Sequence, residues 1–167
     1  MADFKKFAPI LLESEGGFVN DPDDRGGATN RGITLRTYEG WCRKHGYPRP
    51  TVDRLKEMDM ETWERIAKEL YWDKVGGDDI RDQRVANIIC DWAFNSGLGI
   101  ITRVQVLVGV RADGIVGRKT ISAINAQDPQ KLFHRIKMLR TNYYHQLAHR
   151  GNNKKFLRGW LARLERL

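Results

Sequence analysis

One stretch, FVNDPDDRGGATNRGI at residues 18–33, interrupts a chain whose other segments mostly have the spacing of helices. The stretch is rich in Asp, Asn, Gly and Pro and has few apolar side chains. This composition predicts a long ordered loop, with a short β-hairpin around residues 26–33. A loop of this length inside a compact domain usually carries function. We therefore expect a mainly α-helical bundle with one Asp/Gly-rich loop, and the loop is the first place to look for a site.

The segment before the loop predicts an amphipathic helix from Asp3 to Glu15, because its apolar residues recur every three or four positions. Asp3 is a suitable N-cap, and Gly16-Gly17 would end the helix. Pro9 leaves two alternatives open. It either kinks this helix or lies in the first turn of a helix that begins near Ala8.

Further helices are predicted over residues 34–46, 59–76, 83–95, 128–151 and 153–166. Capping residues support three of the starts, namely Thr34, Asp59 and the Asp128-Pro129 pair. A division near residues 76–80 would give two lobes, 1–78 and 79–167, within what we expect to be one compact unit. The architecture predicted from these patterns is mainly α, with one small β or loop element.

Composition narrows the class of partner. The chain has 167 residues and a net charge of +8, which favours a polyanionic partner such as nucleic acid, an anionic membrane or a cell-wall polymer. No apolar run approaches the roughly 20 residues that span a bilayer, and no secretory signal is recognisable, so we expect synthesis in the cytoplasm without membrane insertion. Cys42 and Cys90 are expected to be buried thiols, and the scattered histidines do not predict a zinc site.

Glu15 stands out on the helical wheel of the first segment. At 100° per residue it continues the narrow apolar stripe formed by Phe4, Phe7, Ala8 and Leu11. Apolar neighbours and the negative end of the helix dipole both raise the pKa of a carboxyl group placed there. A raised pKa is what a general acid needs at neutral pH. Glu13 lies about 160° away on the same wheel and is expected to face solvent.

The loop that follows supplies further polar groups, including Asp21, Asp24, Thr29 and Asn30. A protonated carboxyl group that faces an ionised carboxylate or a held water is the arrangement used in glycoside hydrolysis. Spacing alone does not establish this chemistry. A glutamate at a helix end is more often a surface residue, and Asp-rich loops are more often turns.

Three motifs carry a resemblance to a known family: E-G-G-F at 15–18, D-P-x-D-x-G-G-x-T at 21–29 and G-I-T at 32–34. Together they resemble the signature of the glycoside hydrolase family 108 muramidases, phage-type and bacterial lysozyme-like enzymes that cut peptidoglycan. The resemblance implies a lysozyme-like α+β fold and a catalytic acid at the glutamate of E-G-G, which is Glu15. The helical wheel selects the same residue independently.

A looser similarity concerns phage lysozymes that use a Glu, an Asp nine positions later and a Thr six positions after that. Glu15 and Asp24 have the first spacing, but Asn30 occupies the third position and Thr29 is its neighbour. Two alternatives therefore stay open. Either Thr29 or Asn30 faces the cleft, and either Asp24, favoured by spacing, or Asp21 is the second carboxylate.

The C-terminal half resembles the predicted peptidoglycan-binding part found with this family, chiefly over residues 87–123. Within it, residues 113–120 are similar to the D-G-x-x-G-x-x-T turn of peptidoglycan-binding modules. We expect a structural role for this motif, because its glycines permit a tight turn and Thr120 can support a helix. By this resemblance residues 1–78 form the catalytic lobe and residues 79–167 the peptidoglycan-binding lobe.

Four more residues are candidates for substrate binding. Asp91 and Asn95 share one helix face and either line a sugar cleft or satisfy buried backbone groups, and the resemblance favours the cleft. Tyr71 and Trp72 are either core residues, the default for large aromatics, or a stacking platform for sugars. The basic residues of the last helix are expected to form a solvated face.

Together these observations predict a muramidase in which Glu15 protonates the glycosidic oxygen between N-acetylmuramic acid and N-acetylglucosamine. Asp24 or Asp21 would stabilise the positive ring or activate water, without a metal or organic cofactor. The stereochemical outcome stays open. The alternative is a non-catalytic peptidoglycan-binding module involved in wall remodelling or secretion. A nucleic-acid-binding protein is disfavoured, because no helix-turn-helix or basic–aromatic strand pattern is present. A phage-type enzyme of this kind would need a holin for release from the cytoplasm.

Overall fold

The computed structural model describes residues 1–20, 27–150 and 153–167, and this part of the chain is mainly α-helical, as predicted. The elements are α1 (Phe4–Ser14), β1 (Thr29–Asn30), β2 (Ile33–Thr34), α2 (Leu35–Lys44), α3 (Val52–Lys56), α4 (Met60–Ala67), α5 (Gln83–Ser96), α6 (Ile101–Val108), α7 (Arg118–Asn125), α8 (Pro129–Ala148) and α9 (Leu157–Glu165). A π-helical segment, Lys68–Trp72, extends α4, and short 3₁₀ turns cover Gly77–Asp79, Leu98–Ile100 and Asn153–Phe156.

Helix α1 begins and ends as its sequence predicts. The Asp3 carboxylate caps it by accepting a hydrogen bond from the backbone N–H of Lys5 at 2.8 Å. Pro9 lies inside the helix, so the alternative start near Ala8 is wrong. The helix stops at Ser14, and Glu15 has an extended backbone with φ −98° and ψ 139°. The predicted apolar stripe is buried, which confirms the orientation of this helix.

A two-residue turn joins β1 to β2 in an antiparallel hairpin, in which Thr29 pairs with Thr34 and Asn30 with Ile33. Both turn residues have positive φ, 46° at Arg31 and 77° at Gly32, as a type I′ turn requires. The predicted hairpin is therefore confirmed within the described residues. The turn that it carries is the part of the hairpin that matters for the site.

Helix α5 lies at the centre of the core. Its residues from Val85 to Phe94 are all buried, and it packs against α8, α6 and the π-helical segment. A single apolar cluster joins Phe7 of α1, Trp92 of α5 and Ile136 of α8. Because this core runs through both halves of the chain, the orientation of α8 and α9 relative to α1 is set by packing.

The structure differs from the predicted elements in two places. The helix that Asp59 caps was expected to run to residue 76, but its α-helical part ends at Ala67, and the chain continues as a π-helix in which the N–H of Asp73 reaches the carbonyl of Lys68 at 2.8 Å. Short helices such as α3 and α6 were not predicted. Their apolar patterns span too few residues to show a helical period.

The D-G-x-x-G-x-x-T motif forms a turn around a buried glutamine. The Gln105 amide nitrogen donates to the Asp113 carboxylate and the Ile115 carbonyl, both at 3.0 Å, and to the Thr120 hydroxyl at 3.2 Å. Its amide oxygen accepts from the N–H of Gly114 at 2.8 Å. These contacts satisfy a buried side chain and hold the turn against α6, so they give the motif a structural role.

Two further observations concern the chemistry of the chain as a whole. Cys42 and Cys90 are both buried free thiols, and burial raises the pKa of the Cys90 thiol. Across residues 1–20, 27–150 and 153–167, no helix combines the length and the apolar character needed to cross a bilayer.

Candidate active site

Glu15 occupies the junction of α1, the hairpin turn and α5, and its side chain is 12% exposed. The bare backbone of Gly32 packs on the carboxyl group. A Cβ atom at Gly32 would lie 2.5 Å from Glu15 Oε2 and would also meet the ring of Phe94 from α5. The I′ turn therefore brings the hairpin close enough to shield most of the Glu15 side chain from water.

Arg163 of α9 reaches Glu15 across the fold. Its Nη1 donates to Glu15 Oε1 at 2.5 Å, although 148 residues separate the two in sequence. The same guanidinium donates two hydrogen bonds to Asp91, from Nη2 to Oδ1 at 2.7 Å and from Nε to Oδ2 at 3.0 Å. Asp91 is fully buried, and Arg163 is nearly so. One arginine thus holds two carboxylates in fixed directions.

Asp91 also binds a second buried arginine. Arg140 of α8 donates from Nη2 to Asp91 Oδ2 at 2.6 Å, and neither side chain has any exposed surface. Arg140 Nε donates to the Tyr144 hydroxyl at 2.7 Å, which in turn donates to Asn95 Oδ1 at 2.8 Å. We call Glu15, Arg163, Asp91 and Arg140 the buried charge chain. Two carboxyl groups and two guanidiniums alternate along it, and their charges balance when Glu15 is ionised.

Burial is the largest influence on Glu15 and raises the pKa of its carboxyl group. The guanidinium of Arg163 opposes this through charge and hydrogen bonding, and the nearby Asp91 carboxylate adds a smaller rise. The net direction is a raised pKa, as the helical wheel predicts. The predicted cause was incomplete, because the ion pair with Arg163 was not foreseen.

The predicted loop residues are divided between described and undescribed parts of the chain. Asp21 and Asp24 lie outside the described residues. Asn30 is buried, and its amide nitrogen donates to the carbonyls of Leu55 at 2.8 Å and Lys56 at 3.2 Å, which ties the hairpin to α3. Thr29 precedes Asn30 in the strand and therefore points to the opposite face. Its role towards a substrate, like that of Asn30, stays a prediction.

The two aromatic candidates have different surroundings. Trp72 is fully buried, stacks on Phe7 with ring centroids 5.5 Å apart, and donates from Nε1 to Asp78 at 2.6 Å. These contacts account for it as a core residue with no free face for a sugar. Tyr71 is half-buried, and its ring centroid lies 4.6 Å from that of Phe94 beside Glu15. Of the two aromatics, Tyr71 is the one that borders the site.

Asp91 and Asn95 do share one face of α5, as their spacing predicts. Both Asp91 oxygens are occupied by arginines in the interior, so Asp91 acts on the site through Arg163 rather than on a ligand directly. Asn95 is exposed and accepts from Tyr144. Sequence reasoning assigned Arg163 to a solvated basic face. The signal against that assignment was its spacing from Trp160, three residues before it, and Leu167, four residues after it.

A separate groove of about 720 Å³ runs along the outer side of α2. It is lined by Arg36, Glu39, Gly40, Arg43, Gly46, Tyr47 and Arg49. Its lining is strongly basic and does not include the buried charge chain. We therefore locate the candidate site from the contacts of Glu15 and not from the size of a cavity.

Replacing Gly32 with alanine tests the packing of the hairpin turn on Glu15. The left-handed backbone costs an L-residue about 1–2 kcal/mol, and the clash with Glu15 and Phe94 adds about 1–3 kcal/mol. Gly46→Ala is the matched control, since its φ of +71° is similar but nothing lies within 4 Å of its Cβ position. Urea unfolding should show the larger loss for Gly32→Ala. Equal losses in the two variants would contradict the close contact.

Comparisons with known proteins match two consecutive segments of the chain. Residues 8–97, which contain Glu15 and Asp91, match the family model described as glycosyl hydrolase 108. Residues 99–165, which contain Arg140 and Arg163, match a model described as a predicted peptidoglycan domain. The two matches meet at residues 97–99, and the lobe boundary at 78–79 stays a prediction.

One solved structure, that of Brucella abortus SagA, is similar over nearly the whole chain. The two chains are 33% identical, the match covers 98% of this chain and 90% of SagA, and the TM-score is 0.82. A search of curated proteins gave no match. The family match covers more than half of the chain and includes Glu15, Gly32 and Phe94, so the chain belongs to the glycosyl hydrolase 108 family.

Proposed function

We propose that this protein hydrolyses the β-1,4 bond between N-acetylmuramic acid and N-acetylglucosamine in peptidoglycan, with Glu15 as the general acid. The family match supports a glycoside hydrolase that acts on peptidoglycan. The observation that carries the finer proposal is the shielded carboxyl group of Glu15. Burial raises the pKa of this group. A carboxyl group in such a setting can hold a proton at a pH where an exposed glutamate has lost it.

In the proposed reaction the Glu15 carboxyl group donates its proton to the glycosidic oxygen as the bond to the sugar ring breaks. Positive charge develops on the ring, and Asp24 or Asp21 stabilises it or activates water, with Thr29 or Asn30 holding that water. A separation between the two carboxyl groups of about 5–5.5 Å would indicate retention, and about 6.5–9.5 Å would indicate inversion. Proton transfer and charge stabilisation carry every step.

The raised pKa of Glu15 predicts the pH dependence of the reaction. The proton donor is the neutral carboxyl group, so turnover should fall as pH rises through the pKa of Glu15 in the enzyme–substrate complex. An exposed glutamate has a pKa near 4.3. Because burial raises the pKa of Glu15, the alkaline limb of the pH–rate profile should lie above that value. Measuring kcat on soluble glycan fragments across pH checks this. A rate that climbs steadily into alkaline solution would contradict an acid role for Glu15.

Product analysis tests the bond specificity. Purified, outer-membrane-stripped cell walls are incubated with the protein, and the released fragments are identified by mass spectrometry after borohydride reduction. We expect muropeptides whose reduced end is N-acetylmuramic acid. Fragments that end in reduced N-acetylglucosamine, in anhydro sugar or in free stem peptide would each assign a different bond or reaction and overturn the proposal.

A second candidate function is a non-catalytic peptidoglycan-binding module. The match of residues 99–165 to a predicted peptidoglycan domain and the net charge of +8 favour it. Folded protein that sediments with cell walls in a salt-sensitive way, yet releases no fragments, would make this the better proposal. Cytoplasmic synthesis and holin-dependent release stay predictions from the sequence.

A further inference from the structure

We infer that Arg163 is a positioning residue for Glu15, so that α9 completes the catalytic centre and the segment matched as a peptidoglycan domain is part of the hydrolase machinery. This inference rests on the proposed function, in which Glu15 is the acid. It assigns to the C-terminal segment a role that a separable wall-binding module would not have.

The first support is the geometry of the guanidinium. Nε and Nη2 of Arg163 both donate to the Asp91 carboxylate, and this two-point contact fixes the plane of the guanidinium. Nη1 is then aimed at Glu15 Oε1. A lysine ammonium could not make both contacts in a fixed geometry, because it is a single point charge on a flexible stem.

The second support is the way in which Asp91 and α9 are themselves held. Arg140 binds the Oδ2 atom of Asp91, and Tyr144 links Arg140 to Asn95. Trp160 of α9 stacks on Tyr144 of α8, with ring centroids 5.4 Å apart and an interplanar angle of 26°. The position of Arg163 against Glu15 therefore depends on the packing of α8 and α9.

The third support is electrostatic. When Glu15 gives up its proton, a carboxylate forms in a nearly buried position, and Arg163 is already oriented to stabilise it. Asp91 also pairs with Arg163 and raises the pKa of Glu15, so it opposes the tendency of Arg163 to keep Glu15 ionised. Among the described residues, the groups that act on Glu15 electrostatically are Arg163 from α9, Asp91 from α5 and Tyr71 from the π-helical segment. Arg163 is the one cation in this set.

The test compares Arg163→Met with Arg166→Met. Arg166 directly follows α9, three residues after Arg163, and also contacts α1, but it donates to the backbone carbonyl of Glu13, at 3.2 Å, and not to Glu15. Both variants lose one positive charge from the same C-terminal segment. Circular dichroism confirms folding before kcat and KM on soluble glycan fragments are measured across pH, and co-sedimentation with cell walls is measured in parallel.

For Arg163→Met we expect kcat to fall about ten- to hundredfold, because the variant loses one hydrogen bond to a charged group. The alkaline limb should move to higher pH by about one pH unit or more, because the cation that favoured the carboxylate is gone. KM and wall binding should stay unchanged, and Arg166→Met should behave as the wild type does. A variant with normal kcat and weakened wall binding would overturn the inference and make Arg163 a wall contact.

A second measurement does not depend on activity. The Glu15 carboxyl carbon is titrated by NMR, with Glu15→Gln used to assign its signal, in the wild type, Arg163→Met and Arg163→Lys. We expect titration at higher pH in Arg163→Met and at an intermediate pH in Arg163→Lys. Should Arg163→Met fail to fold, Arg163→Lys, which keeps the charge, carries the test alone.

The two measurements separate the failure of the inference from the failure of the proposed function. One outcome is that the wild-type protein releases no glycan fragments while the Glu15 titration still differs between the wild type and the Arg163 variants. This result would refute the proposed hydrolase activity but would leave Arg163 as the group that controls the pKa of Glu15. Active wild-type protein with an unchanged titration in Arg163→Met and Arg163→Lys would refute the inference alone.

Discussion

Glu15→Gln is expected to reduce the rate of peptidoglycan hydrolysis by about 10²- to 10⁴-fold, the contribution typical of a general acid. The amide has the size of the carboxyl group, and its oxygen can still accept from Arg163, but it cannot donate the proton that the leaving oxygen needs. The fold should survive, since Arg163 keeps its two contacts with Asp91. The rate at which reducing ends appear from purified cell walls measures the effect.

Glu13→Gln is the matched control for this experiment. Glu13 lies two residues away at the same helix end, but it is exposed and is not part of the buried charge chain. We expect full activity in this variant and undiminished wall binding in both. Activity that survives in Glu15→Gln, or that falls equally in Glu13→Gln, would move the chemistry to another residue.

Asp91→Asn is expected to lower the free energy of unfolding by about 3–5 kcal/mol, the cost of breaking a buried ion pair by removing one partner. Asp91 is the only described carboxylate hydrogen-bonded to Arg140, and it shares Arg163 with Glu15. Neutralising it leaves buried positive charge without compensation. For a chain of this length the loss corresponds to a drop in Tm of roughly 10 °C. Urea and thermal unfolding followed by circular dichroism measure both quantities.

Asp73→Asn provides the comparison for Asp91→Asn. It makes the same chemical change in the Lys68–Asp73 pair, whose side chains are 39% and 47% exposed. Surface pairs of this kind are worth about 0–1 kcal/mol, so the loss should be small. If the two variants were destabilised equally, the buried charge chain would not stabilise the fold in the way that its geometry implies.

Local rules were sufficient for several elements of the fold. The capping residues Asp3, Thr34 and Asp128 start helices where predicted, because each cap depends on contacts within three residues. The hairpin formed where its Gly-containing turn predicted, and the apolar stripe of α1 placed Glu15 inward. The family was also recognisable from the motifs around Glu15, since their spacings are short and local.

The same rules do not report contacts made outside the element. The helix after Asp59 was expected to continue regularly, yet its final turn widens into the π-helical segment. Asn30 stays a candidate to hold water, and local rules did not predict that its amide nitrogen donates to an α3 carbonyl 25 residues along the chain. For Trp72 the residue type made the core the default and a sugar platform the alternative, and its packing on Phe7 agrees with the default.

The sequence by itself therefore determined the helical class, the hairpin, the inward position of Glu15 and the family. Only the tertiary structure decided what surrounds that glutamate. Arg163 lies 148 residues from Glu15 and 72 from Asp91, and Arg140 lies 49 residues from Asp91. Helical periodicity reports which face of one helix is apolar, but it carries no information about which distant helix packs there. The partners of a buried charge become known only when the packed helices bring them within hydrogen-bond distance.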